Sequence, residues 1–143
     1  MKSEMKNEYS RIFFDTAPII YFVEQKEKYF THIKNFLKTN YLSEYYTSTI
    51  SVAEYSLYPY LYDKSLLSKY NQFIDIMGIN VININKNIAD KSAQIKSQYR
   101  YFKTADSLQL ASAMIYNCDL FITNDKQLRK FSEVETIILD DLL

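Results

Sequence analysis

An α/β fold, a parallel sheet with helices over both faces, is what this sequence predicts. Five short stretches, at residues 11–14, 45–48, 79–84, 119–123 and 134–139, have strand length and β-branched or aromatic content. Helical patterns alternate with them. Helical crossovers are what join parallel strands, so the alternation points to a parallel sheet buried on both sides.

The elements follow in order. Arg11-Ile12-Phe13-Phe14 is a buried strand that stops at Asp15, and Pro18 opens the apolar turn Ile19, Ile20, Tyr21, Phe22 of a first helix. Phe30, Ile33, Phe36 and Leu37 fall at helical spacing within residues 28–39, and Tyr45 to Ser48 form the second strand before Ile50 begins another helix. The same period runs through Leu66, Tyr70, Phe73, Ile74 and Met77 to the sole glycine, Gly78, which stands as a C-cap ahead of the strand Ile79 to Ile84. Asn85 to Gln98 is a more polar helix. Thr104 is placed to cap a helix carrying Leu108, Leu110, Ala111, Met114 and Ile115, and strands at Asp119 to Thr123 and Val134 to Leu139 complete the set.

Composition narrows the function. The chain has 143 residues, enough for one core that buries roughly two thirds of the unfolded surface. Its 48% apolar against 24% charged content excludes a disordered protein. Residues 1–10 are polar, lack the apolar centre of a signal peptide and read as a flexible lead-in to a single domain over residues 11–143. No stretch approaches the ~20 apolar residues of a membrane span, so a soluble, cytoplasmic protein is expected. The single cysteine, Cys118, and single histidine, His32, exclude disulfides, a catalytic triad and zinc sites built on several histidines. Seventeen basic residues balance seventeen acidic ones, so nucleic-acid binding would depend on a local patch.

Sites in open α/β sheets form beyond the carboxyl ends of the strands. Four acids fall there. Asp15 ends the first strand, Asp125 lies two residues past Thr123, Asp106 opens the helix leading back into that later strand, and Glu54 sits early in the helix after the second strand. Individually such residues cap turns and helices. Glu54, however, shares a helical face with Ile50, Leu57, Tyr58 and Leu61, which sets a charge on the stripe expected to pack against the sheet. Converging carboxylates repel, and a bound cation resolves the repulsion; all-oxygen ligation favours Mg²⁺ or Mn²⁺.

These segments resemble the PIN domains, specifically the VapC-like toxin ribonucleases of bacterial toxin-antitoxin pairs, over about residues 11 to 139. Phe13-Phe14-Asp15-Thr16-Ala17-Pro18-Ile19-Ile20-Tyr21-Phe22 is similar to that family's opening strand, aspartate and helix. Thr49-Ile50-Ser51-Val52-Ala53-Glu54, with Pro59 five residues on, resembles its acidic helix with a proline kink. Thr104-Ala105-Asp106-Ser107-Leu108-Gln109-Leu110-Ala111-Ser112-Ala113 is similar to its aspartate-led helix of small residues, and Leu120-Phe121-Ile122-Thr123-Asn124-Asp125-Lys126 to its last acidic strand end.

The resemblance implies a three-layer α/β/α domain with strand order 3-2-1-4-5. It implies Asp15, Glu54, Asp106 and Asp125 as metal-binding, catalytic acids, with Thr123, Thr16 and Asn124 as polar groups that orient water, metal or a neighbouring carboxylate. Hydrolysis of RNA phosphodiester bonds with Mg²⁺ or Mn²⁺ follows, with phosphate contacts from Arg100, Lys103, Lys126, Arg129 and Lys130, and with a homodimer and a small antitoxin as partners. The tyrosine-rich hairpin from Tyr55 to Tyr70 is the expected dimer or antitoxin surface, since clustered exposed aromatics mark binding patches. Aspartyl-phosphate chemistry is the weaker enzyme reading, because haloacid dehalogenase-like enzymes carry a second aspartate where this chain has Ala17. The competing non-enzyme reading is an RNA- or protein-binding module of the same fold with idle acids.

Overall fold

The computed structural model describes residues 9–143. Of the lead-in expected at residues 1–10, the first eight lie outside them; Tyr9 and Ser10 are tied down, the first through its hydroxyl to Glu135 and the second through its amide to Asp119.

Five strands form one parallel sheet: β1 (Arg11–Phe14), β2 (Glu44–Ser48), β3 (Asn80–Ile82), β4 (Leu120–Thr123) and β5 (Glu135–Ile138). Their order is β3-β2-β1-β4-β5, so the strand order implied by the resemblance is the one found, and β1, flanked on both sides, is central. Side chains alternate across the sheet and divide the core in two. Ile12, Phe14, Tyr45, Leu120 and Ile122 face α1 (Thr16–Val23), α2 (Glu27–Thr39), α3 (Thr49–Tyr62) and α4 (Ser65–Ile76), where Ile19, Phe36, Tyr55 and Tyr70 meet them. Phe13, Tyr46 and Phe121 face α5 (Lys86–Gln98) and α6 (Thr104–Ile115), packing with Ile88, Ile95, Leu110 and Ala111. Phe13 and Phe121, paired in register on adjacent strands, stack with centroids 5.3 Å apart.

Local chemistry sets the boundaries. Asp15 accepts from the Thr16 amide and starts α1 two residues ahead of Pro18, whose missing N–H costs nothing in a first turn. Gly78 takes the left-handed conformation, φ +62°, directly after α4, and Ile79 N donates back to Ile74 O. β3 is shorter than the run Ile79 to Ile84, because the Asn85 side chain accepts from the Ile88 amide and turns the chain into α5. Thr104 does not cap α6 as expected. It is the first helical residue, Lys103 occupies the N-cap without a side-chain bond, and the Thr104 hydroxyl instead accepts from Lys96 Nζ. Cys118 is buried ahead of β4, and among the described residues no helix is long and apolar enough to cross a membrane.

Candidate active site

The parallel register carries one residue past β1 to the last residue of β4. Phe14 pairs with Ile122, the Asp15 amide donates to Ile122 O at 2.9 Å, and the next side chains along, Asp15 and Thr123, therefore stand side by side. Asp15 is 9% exposed and both its oxygens are engaged. Oδ2 accepts from Thr123 Oγ1 at 2.7 Å, while Oδ1 accepts from the Thr16 amide at 2.9 Å and from Gln109 Nε2 at 3.2 Å. Burial raises its pKa above the ordinary carboxylate value and the nearby Glu54 charge adds to that; the three hydrogen bonds oppose it.

Glu54 reaches the site, but not from the face expected of it. Leu57, Tyr58 and Leu61 are exposed, and the buried stripe of α3 is Ser51, Tyr55 and Pro59. At 3.6 residues per turn that stripe is turned by one residue, about 100°, from the expected one. Ser51 is bonded to Thr16, Thr47 and Gln109, and Tyr55 stacks on Tyr70 with centroids 4.5 Å apart. Glu54 is thus left at the solvent side of the cleft, where the Thr16 hydroxyl donates to it at 2.5 Å.

Asp106 lies in the first turn of α6. One of its carboxylate oxygens, Oδ2, is buried without a hydrogen-bond partner. Burial, then the charges of Asp15 and Asp125 and the close approach of the Asp125 carboxyl, with which a protonated Asp106 shares a hydrogen bond, push its pKa up to about 6, against a smaller opposing pull from Lys103. Asp125 follows β4 and accepts from the Gln127 amide at 3.0 Å, while its own amide donates to Thr123 Oγ1 at 3.1 Å. The four acids thus gather in one electrostatic neighbourhood, Glu54 acting on Asp15, and Asp15 and Asp125 on Asp106. Among the described residues none of them forms an ion pair.

Asn124 points away from this cluster: its Nδ2 donates to the Tyr21 and Tyr29 hydroxyls and its Oδ1 accepts from the Asp140 amide, so it ties the end of β4 to the C-terminal turn. Two of the basic residues expected to meet phosphate are engaged as well, Arg129 with Asp141 at 2.5 Å and Lys126 with Asp140 at 3.7 Å. Lys130 sits over the Tyr101 ring.

Sequence reasoning missed the polar groups beneath the acids. Gln109, Ser48, Thr47 and Ser51 are all buried and joined by hydrogen bonds. Two signals could have found them: a Ser/Thr-rich strand-to-helix junction at residues 47–51, and an amide one turn after Asp106 amid apolar residues of α6.

Among the described residues no group of three or more His, Cys, Asp or Glu side chains is spaced to hold a metal ion by itself. The donor set still fits a hard divalent cation: oxygen donors only, no compensating ion pair, and a partnerless buried oxygen on Asp106. Mg²⁺ in particular keeps several waters and needs only one or two carboxylates.

Solved structures of similar fold include the FitAcB complex from Neisseria gonorrhoeae, with a TM-score of 0.74 at 22% identity, covering 90% of this chain and 97% of that one. A DNA-bound VapBC complex from Salmonella typhimurium gives 0.73 at 17% identity over 91% and 98% of the two chains. A sarcin-ricin loop cleaving VapC toxin of Mycobacterium tuberculosis gives 0.65 at 13% identity over 86% and 98%. No curated protein matches the sequence. The family profile described as PIN domain matches residues 12–134, most of the chain, and the protein therefore belongs to the PIN domain family.

Proposed function

We propose that this protein is a Mg²⁺- or Mn²⁺-dependent endoribonuclease and the toxin of a toxin-antitoxin pair. The observation that carries the reading is Asp106: a buried carboxylate oxygen with no partner, in the field of Asp15 and Asp125, is a donor in need of a cation. One or two of Asp15, Glu54, Asp106 and Asp125 would hold the ion directly and the others through its waters. When bound, it supplies activation of water and neutralisation of the oxygen that leaves.

The chain's own residues supply position. Thr123 fixes one oxygen of Asp15, the Thr16 amide the other, and the Thr16 hydroxyl holds Glu54 at the mouth of the cleft. A phosphodiester entering there would meet Lys103 and Arg100, which precede Asp106 and form no ion pair among the described residues. With charges balanced overall, RNA affinity should depend on these few contacts and weaken with salt.

The similar folds described as VapBC and as a toxin-antitoxin complex from Klebsiella pneumoniae support a small antitoxin as partner, acting inside the cell. Tyr58, Tyr60, Leu61 and Tyr62, each at least half exposed, offer a surface for the antitoxin or for a second copy in a homodimer, whereas Tyr55 and Tyr70 of the same hairpin belong to the core. RNA incubated with the purified protein should be cut in proportion to added Mn²⁺ or Mg²⁺ and left intact with EDTA. Tight RNA binding without cleavage at any metal concentration would favour the idle binding module instead.

A further inference from the structure

Gln109 is 1% exposed, and an amide that deep is costly unless each polar group is matched. Every one is. Nε2 donates to Asp15 Oδ1 at 3.2 Å and to Ser51 Oγ at 2.8 Å, and Oε1 accepts from Ser48 Oγ at 2.5 Å. The orientation of the amide is fixed by its surroundings. Ser48 caps α3 by accepting from the Ile50 amide, which leaves its hydroxyl proton for Gln109 Oε1. The oxygen of the amide is thereby held toward β2, and the NH₂ group has only Asp15 and Ser51 to face.

Three of the acid-bearing elements meet at this one side chain. Gln109 stands one turn after Asp106 on α6, bonds Asp15 at the end of β1, and through Ser48 and Ser51 grips the first turn of α3, which carries Glu54. Ser51 in turn lies 3.1 Å from Thr16 Oγ1, the hydroxyl bonded to Glu54, and 2.8 Å from Thr47 Oγ1, so the network continues to the mouth of the cleft. An unbranched apolar residue of the same length would fill the space, so packing alone does not call for an amide.

We propose that Gln109 is a positioning residue, whose amide orients the Asp15 carboxylate toward the cation and locks the separation of the α3 and α6 acids. The proposal rests on the metal-dependent reading of the site. Partners that orient a ligating group typically contribute roughly 10- to 100-fold to metal affinity.

The test measures the Kd for Mn²⁺ alone, by loss of the free-ion paramagnetic signal, at a temperature where all proteins are folded. RNA cleavage is followed in parallel. Gln109→Met keeps the length of the side chain and Gln109→Leu shortens it slightly, both removing the amide without adding charge, and Ser51→Ala frees the amide from its second acceptor without touching Asp15. Both Gln109 variants should bind Mn²⁺ roughly 10- to 100-fold more weakly. Ser51→Ala should fall between them and wild type, and cleavage should lose kcat with little change in the KM for RNA. Wild-type Mn²⁺ affinity in Gln109→Met, or in Ser51→Ala should the Gln109 variants fail to fold, overturns the inference and leaves the nuclease reading standing. A wild-type protein that neither binds Mn²⁺ nor cuts RNA overturns both.

Discussion

Thr123 Oγ1 donates to Asp15 Oδ2 at 2.7 Å and accepts from the Asp125 amide at 3.1 Å, so one hydroxyl links two of the four acids across the ends of β1 and β4. Thr123→Val keeps the shape and removes both bonds. A buried acceptor left unmatched costs about 1–3 kcal/mol, so the variant should melt several degrees lower and lose most RNA cleavage, while Thr123→Ser should keep both. Thermal melts and cleavage rates on the two variants check this, and equal behaviour of Val and Ser would show the hydroxyl to be idle.

Asp106 gives a pH dependence with a definite sign. Its folded-state pKa, about 6, lies above the ordinary 3.8, so between those values the native protein binds more protons than the unfolded chain and stability rises as pH falls. Metal-free wild type should therefore gain more stability than Asp106→Asn between pH 7 and pH 5. At pH 7 the variant should melt no lower than wild type. The group is only half-buried, and solvent screening should hold the effect to about 1 kcal/mol. Melts in EDTA at the two pH values decide it; a parallel pH response in the two proteins would contradict the placement of Asp106 among like charges.

Tyr70 offers a control away from the acids. Its ring stacks on Tyr55 and its hydroxyl donates to Glu24 at 2.5 Å. Tyr70→Phe should cost about 1.5–3 kcal/mol, the range for a hydrogen bond to a charged group, and leave RNA cleavage unchanged below the melting range. A loss of cleavage without loss of stability would mean that the α3 and α4 hairpin takes part in the reaction.

The sheet was readable because it is written in short runs. Phe13 and Phe121 had to be inside whatever their neighbours did, and the interval lengths required crossovers, so the parallel topology followed. Asp15, Asp106 and Asp125 were readable because each sits at a strand end or in a first helical turn, positions that local pattern defines, whereas Glu54, in the second turn of α3, stood out as a charge among apolar residues. The rotation of α3 was not readable: Ile50, Glu54, Leu57, Tyr58 and Leu61 have the apolar spacing of a buried face, yet the contacts with Gln109 and Tyr70 select Ser51 and Tyr55 instead. Gln109 escaped notice for the opposite reason, since its partners Ser48 and Asp15 are 61 and 94 residues away in the chain.

The toxin reading makes a cellular prediction. Overproduction in a bacterial host should slow growth, Asp15→Asn should abolish the effect at equal protein level, and a small co-encoded protein should relieve it. Normal growth with abundant, active wild-type enzyme would contradict the toxin role and leave the nuclease untouched.

RNA cleavage by matched preparations of wild type, Asp15→Asn and Asp106→Asn, each with Mn²⁺ and with EDTA, tests the central claim most directly. The four-acid site predicts cleavage by wild type with Mn²⁺ alone, and a loss of at least about 100-fold in both variants, which should remain folded because each substitution removes charge from a crowded cluster. Equal cleavage by all three proteins, or cleavage that survives EDTA, would contradict it.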